Sequence, residues 1–304
     1  MKKLFFLFIG CMFLYFIAYP SKAFLASQAG LLLWFNQILP TLLPFSILSN
    51  ILLTVWDNSS DQEIHSFLHI TKREWFIIFC GMLFGFPIGS KLTADIYKSG
   101  YTTEERAKIL CAFTNNMSPA FVSSYVCSNI LKNSAYTLPM FIMLYGPPFI
   151  IGCFRLSRAP IEQNTHKKSA SRFQLDMQII DAGIVSSFVT LIKLCGYIVI
   201  FSITADLFLH IRFLPNPIKY LMVGLTEVTN GIAQLSYIAY PERTKILMAV
   251  LFLSLGGLSG LAQTNSMLSD GGLPIKNYIY SKLLYAACSV LLCLCILFLG
   301  DIVG

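Results

Sequence analysis

Glu227 lies in the run Gly224 to Ile232 (GLTEVTNGI), near the middle of a segment otherwise almost free of charge. A carboxylate in so apolar a segment is rare unless it is paired, protonated or turned towards water. Lys193, midway along the apolar stretch Gly183 to Leu209, is the obvious partner. Breaking one side of such a buried pair costs more than removing both. Two readings stand side by side: a charged site that contacts a solute, and an ion pair that only fixes the position of the segment. Asn230, three residues after the carboxylate, adds a polar group to the same run.

A second constellation joins GFPIGSKLTAD (Gly85 to Asp95) to FTNNMSP (Phe113 to Pro119). Gly85 and Gly89 permit a tight turn and close backbone approach. Pro119 removes a backbone donor and leaves carbonyls to be satisfied elsewhere. Thr114, Asn115, Asn116 and Ser118 supply donors and acceptors beside that break. Together they suit coordination of a neutral polar solute or an ion by side chains and half-helix ends. The competing reading is hydrogen bonding between membrane helices, common for Ser, Thr and Asn. Gln263 and Asn265 are weaker candidates, next to a Gly256/Gly260 face whose default meaning is close helix packing.

No catalytic constellation accompanies these groups. There is no His-Glu-x-x-His, no Gly-x-Ser-x-Gly in a suitable context and no P-loop lysine. The expectation is a protein that is not an enzyme, has no cofactor and holds no metal. The histidines (His65, His69, His166, His210) fall outside the apolar runs, and the nine cysteines lie inside them as small hydrophobic residues.

The elements that must position these residues are membrane segments. The 304 residues are 56% hydrophobic and 12% charged, with a mean hydropathy of +0.67. That is far more apolar surface than a water-soluble fold buries, so the lipid bilayer is the expected partner. The net charge of +7 comes from basic residues beside the apolar runs, where the positive-inside rule explains them without nucleic acid. The first 29 residues read as a membrane helix or signal anchor, an uncleaved helix fitting better than a signal peptide because the stretch is rich in aromatics.

Charge placement then orders the topology. Trp75 to Ser99 carries Gly81, Gly85, Pro87 and Gly89 and ends in Lys91, Asp95 and Lys98, so it cannot be a lipid-facing helix. A re-entrant hairpin at about 75–99 satisfies its backbone. It also leaves Arg155, Arg158, Lys167, Lys168 and Arg172 of the linker 155–182 on the cytoplasmic side, as the orientation rule requires. Spans are expected at Gly30 to Thr54, Ala107 to Leu131, Thr137 to Phe154, Gly183 to Leu209, Lys245 to Leu268 and Asn277 to Gly300, with a second hairpin at about 218–238.

An internal repeat supports this order. Glu105, Arg106, Lys108, Ile109, Leu110 and Ala112 return 137 positions later as Glu242, Arg243, Lys245, Ile246, Leu247 and Ala249. Counting segments puts the first tract inside and the second outside, so the repeats 30–154 and 183–304 are expected to be inverted. The tracts themselves read as interface anchors with solvated charges. The predicted fold is an all-α polytopic membrane protein with an inverted-topology repeat and two re-entrant hairpins.

The run GFPIGSKLTADIYKSGYTTEERAKILCAFTNNMSPAFV (Gly85 to Val122), with GLTEVTNGI and LIKLCGYIVIFS (Leu191 to Ser202), resembles the YlbJ-type sporulation integral membrane proteins of the nucleoside recognition, or Gate, domain group. The resemblance implies a multi-pass protein of the cell membrane of a spore-forming Gram-positive bacterium, needed for spore formation. It also implies a transporter-like arrangement similar to concentrative nucleoside transporters. A small polar solute or ion would pass Gly85, Gly89, Thr114, Asn115, Asn116, Ser118, Lys193, Glu227 and Asn230, in a cycle that rocks one repeat against the other. The rival expectation is a membrane scaffold or assembly factor without transport. A second copy of the chain and other sporulation membrane proteins stand as candidate partners.

Overall fold

The computed structural model describes residues 2–57, 67–161, 177–211 and 213–303. The middle of the basic linker, with Lys167, Lys168 and Arg172, lies outside them, as do His65 and His166. Among the described residues the regular elements are helices and no strand occurs.

The chain begins with α1 (Lys2–Ala18), turns at Tyr19 and Pro20, and continues as α2 (Pro20–Leu33). A π-helical turn (Trp34–Ile38) then leads into α3 (Leu39–Asp57). The expected span Gly30 to Thr54 is therefore part of a longer, kinked rod, with Pro40 and Pro44 supplying the missing donors that loosen it.

Two short antiparallel helices follow: α4 (Lys72–Phe84) and α5 (Ile88–Lys98). A capping box starts α4, with Thr71 Oγ1 accepting from the Glu74 N–H and the Glu74 carboxylate accepting from the Thr71 N–H. Gly85 ends it at φ +74°, ψ −163°, a conformation that only glycine adopts readily.

Next, α6 (Glu104–Thr114) is opened by Thr103 as N-cap and by Glu104 and Glu105 in the first turn, where carboxylates suit the helix dipole. It stops at Asn115, and the chain resumes as a π-helix (Phe121–Ile130). Ala107 to Leu131 is thus not one continuous span, as the sequence suggested. Pro119 and the Asn115–Ser118 run divide it into two half-length pieces. Then α7 (Thr137–Arg158) closes the first half.

The second half begins with α8 (Met177–Leu209), then a short pair, α9 (Asn216–Thr226) and α10 (Val228–Gln234). Next come α11 (Glu242–Leu255) and α12 (Gly257–Asp270), which meet at Gly256 in the left-handed conformation, φ +77°. The last helix is α13 (Lys276–Val303). The order of the first half therefore returns: a long helix, a pair of short helices, a broken helix and a continuous one.

The halves interpenetrate. One core joins Ile77, Leu92, Leu110 and Phe113 of the first half to Leu191, Leu268 and Tyr285 of the second. The other joins Val122, Val126 and Met140 to Ile232, Ala249 and Phe252. Outside these cores the surface is hydrocarbon: Phe6, Phe13 and Ile17 on α1, Val185 and Ile192 on α8 and Leu291 on α13 are 61–78% exposed. Such a surface belongs in lipid.

Among the described residues four helical stretches are long and apolar enough to cross a membrane: Ser134–Arg158, Met177–Leu209, Glu242–Asp270 and Lys276–Leu297. They become five if Phe6–Ala18 and Pro20–Asn36, bent by 112°, form one span.

Candidate functional site

Glu227 is where α9 stops and α10 starts, so one residue ends the first helix and caps the second. Its backbone is extended, which aims the side chain back over the first turn of α10. There Oε2 accepts from the Asn230 N–H at 2.8 Å and from the Thr229 hydroxyl. Carboxylates favour this position because the first amide donors of a helix have no partner within it. The side chain is 5% exposed and lines a cavity of about 810 Å³. The cavity wall is shared by both halves: α2, α3, the α4–α5 turn, Ser118 and the π-helix on one side, and Leu194 and Ile198 of α8, Glu227 to Thr229 and Gln263 on the other.

Behind that wall lies a second polar centre at the α6 break. Asn115 Nδ2 donates to Thr264 Oγ1 at 2.8 Å and to the Tyr278 hydroxyl at 3.1 Å, while its Oδ1 accepts from the Ser90 N–H at 3.3 Å. Asn116 Oδ1 accepts from Lys282 Nζ at 2.7 Å, its Nδ2 donates to the Phe113 carbonyl at 2.6 Å, and its own carbonyl accepts from the Phe86 N–H at 2.6 Å. Thr114 turns its hydroxyl back to the Leu110 carbonyl. Ser118 caps the following stretch by accepting from the Phe121 N–H.

The glycines of the α4–α5 turn make this junction possible. A Cβ on Gly85 would lie 2.5 Å from the Ser118 nitrogen, and one on Gly89 would lie 2.7 Å from the Thr114 carbonyl oxygen. The structure thus brings Gly85, Gly89, Thr114, Asn115, Asn116 and Ser118 into one junction, and Ser118 and Glu227 onto one cavity. Asn230 contributes its backbone N–H to the Glu227 carboxylate.

Lys193 does not join them. The expected Lys193–Glu227 pair is absent: Lys193 Nζ binds Asp270 Oδ2 at 2.8 Å on an exposed part of the surface. Lys193 is partly exposed on α8 and has Asp270 within reach, so its charge is met at the surface and not at the buried α9–α10 turn. Glu227 has one carboxylate oxygen, Oε2, held by its own helix start instead.

A second correction concerns the repeated Glu-Arg-x-Lys tract. Arg243 is exposed, as an interface anchor should be, but Arg106 is 2% exposed and forms a two-pronged pair with Glu74. Nε donates to Oε1 and Nη2 to Oε2, both at 2.7 Å. Nη1 donates to the Leu156 and Ala159 carbonyls at the end of α7, and Nη2 also donates to the His69 carbonyl. Thr102 donates to the same carboxylate.

Lys282 was missed by sequence reasoning. It is 2% exposed, and its ammonium is set against the Asn116 side chain near the carbonyl end of α6, where a cation is favoured. A signal for it exists: Tyr278, Lys282, Tyr285 and Ser289 recur at helical spacing and form one buried polar face of α13. Among the described residues no group of three His, Cys, Asp or Glu side chains is placed to hold a metal ion. The arrangement can meet a solute by charge, hydrogen bonds and aromatic contact.

No family model matches the chain, and no solved structure matches it. It is 24% identical over 320 residues to the "Sporulation integral membrane protein YlbJ" of Bacillus subtilis (strain 168), an alignment that covers 91% of this chain and 78% of that protein. At that coverage the alignment spans both halves of the chain. With its apolar helices and this relative, the chain is a multi-pass integral membrane protein, similar along nearly its whole length to a sporulation membrane protein.

Proposed function

We propose that this chain is a YlbJ-type sporulation membrane protein with a transporter-like inverted repeat, in which a small polar solute or ion passes through the cavity beside Glu227. The α4–α5 and α9–α10 pairs act as re-entrant hairpins in this reading. One observation carries it: both halves line a cavity of about 810 Å³ into which the chain places a buried carboxylate. A volume of that size is in the range of small-molecule sites. The recurrence of a hairpin followed by a broken helix in each half adds support, because such breaks are where transporters place substrate and ion sites.

Reconstituted flux tests it. Wild-type protein in liposomes should move at least one member of a broad solute panel, and Glu227→Gln should lower that flux by about tenfold or more, as expected when a buried charge contact is removed. If wild type and variant are equally inert while sporulation still needs the protein, it is a scaffold or assembly factor of the spore-forming cell, and the transport reading fails.

Orientation has its own test. Arg106 is buried and cannot report sidedness, but Glu105 and Glu242 are exposed at matching positions of the two tracts. Single cysteines at these two positions should react with a membrane-impermeant maleimide from opposite sides. Labelling of both from one side overturns the inversion.

A further inference from the structure

The cavity wall is mostly hydrocarbon and aromatic. Phe45 and Phe84 stack with ring centroids 3.5 Å apart, and Phe121 and Tyr125 lie 5.0 Å apart. Of the lining residues only Glu227 and Tyr125 can carry charge. Glu227 has no ion-pair partner among the described residues: Lys193 is taken by Asp270, and Lys282 is held by Asn116 behind the wall. The hydrogen bonds from the Thr229 hydroxyl and the Asn230 N–H both end on Oε2, on the α10 side, and the residue itself lines the cavity.

A carboxylate in an apolar, aromatic chamber with no compensating cation is a half-built ion pair. The missing half is a cation that the chamber can also solvate along its body. Inorganic cations suit such a wall poorly, because they keep a shell of water or oxygen ligands that aromatic rings do not replace. Ammonium groups on apolar frames suit it well, gaining from the carboxylate, the ring faces and hydrocarbon burial together.

We propose that the cavity binds an organic cation, an amine or quaternary ammonium with an apolar or aromatic body, its charge at the Glu227 carboxylate and its body against Phe45, Phe84 and Phe121. This assignment rests on the reading of the cavity as a solute site and names the class of solute.

Three probes of one shape test it: 3-phenylpropylamine, 3-phenylpropanamide and 3-phenylpropionate, titrated calorimetrically into the full chain in lipid nanodiscs. The amine should bind about tenfold or more tightly than the amide, a difference of ~1.4 kcal/mol, and the carboxylate should bind most weakly. Glu227→Gln, which keeps an oxygen for the α10 start, should abolish the amine's advantage while leaving amide binding nearly unchanged. Glu227→Asp, which keeps the charge but shortens its reach, should restore part of it.

Equal binding of amine and amide by the wild type, undiminished amine binding by Glu227→Gln, or no amine binding by protein that melts normally would each overturn the assignment. Parallel flux measurements separate the two readings. Amine binding without flux of any solute retains the assignment and overturns transport, while flux of uncharged solutes without amine preference retains transport and overturns the assignment.

Discussion

Arg106→Ala should destabilise the protein by about 3–5 kcal/mol, the range for breaking a buried ion pair on one side. The loss has several sources. Glu74 would keep a buried charge with only hydroxyl and amide partners, and the carbonyls of Leu156, Ala159 and His69 would lose their shared donor. Those carbonyls come from the end of α7 and from the approach to α4, so the guanidinium ties three chain segments together. Thermal melting of the purified protein should show a large downward shift, and Glu74→Gln should show one of similar sign. Combining Arg106→Met with Glu74→Leu should cost less than the sum of the single changes, because neither charge is then left alone. Strict additivity would mean that the two side chains do not act as a pair.

Gly85→Ala should be nearly as damaging, by about 2–5 kcal/mol from backbone strain and overlap combined. The added methyl group would meet the backbone nitrogen of Ser118 and the carbonyl oxygen of Asn116, which are main-chain atoms that cannot rotate away. Either the α4–α5 turn withdraws from the α6 break or the break reshapes. Both would disturb the Phe86 N–H to Asn116 hydrogen bond and the junction behind the cavity. Gly146→Ala is the natural control, since a Cβ there would meet nothing within 4 Å. A melting curve for Gly85→Ala that overlays the control would show that the turn is not packed so closely.

The order of helices was legible in the sequence because it depends on long apolar runs and on glycine and proline, whose effects are local. Gly85 to Pro87, the Asn115 to Pro119 run and the neighbourhood of Glu227 all became chain breaks, as their residue types require. Partners across space were less legible. Lys193 and Glu227 looked like a pair because each was a lone charge in an apolar run, but Lys193 is taken by Asp270 and the start of α10 holds one oxygen of the carboxylate. Arg106 and Arg243 occupy the same place in a repeated tract, yet the first is buried against Glu74 and the second is exposed. Burial is decided by the neighbouring segment, and a repeat does not duplicate neighbours. Lys282 lies six residues after the start of α13, where a lysine reads as a snorkelling flank.

The bonds from Asn115 to Thr264 and Tyr278, and from Lys282 to Asn116, all run between the two halves. They are short and sealed from solvent, so they act as rivets and oppose any rocking of one half against the other. The attachments of α3 and α8 to the rest are different. Lys91 reaches Asn50 at 2.6 Å and Lys193 reaches Asp270 at 2.8 Å, each through a long, pliable stem ending in an ammonium that can exchange one oxygen for another. The junction of Asn115, Asn116, Thr264, Tyr278 and Lys282 should therefore hold more firmly than the two lysine contacts of α3 and α8. Any sliding should begin at those lysine contacts.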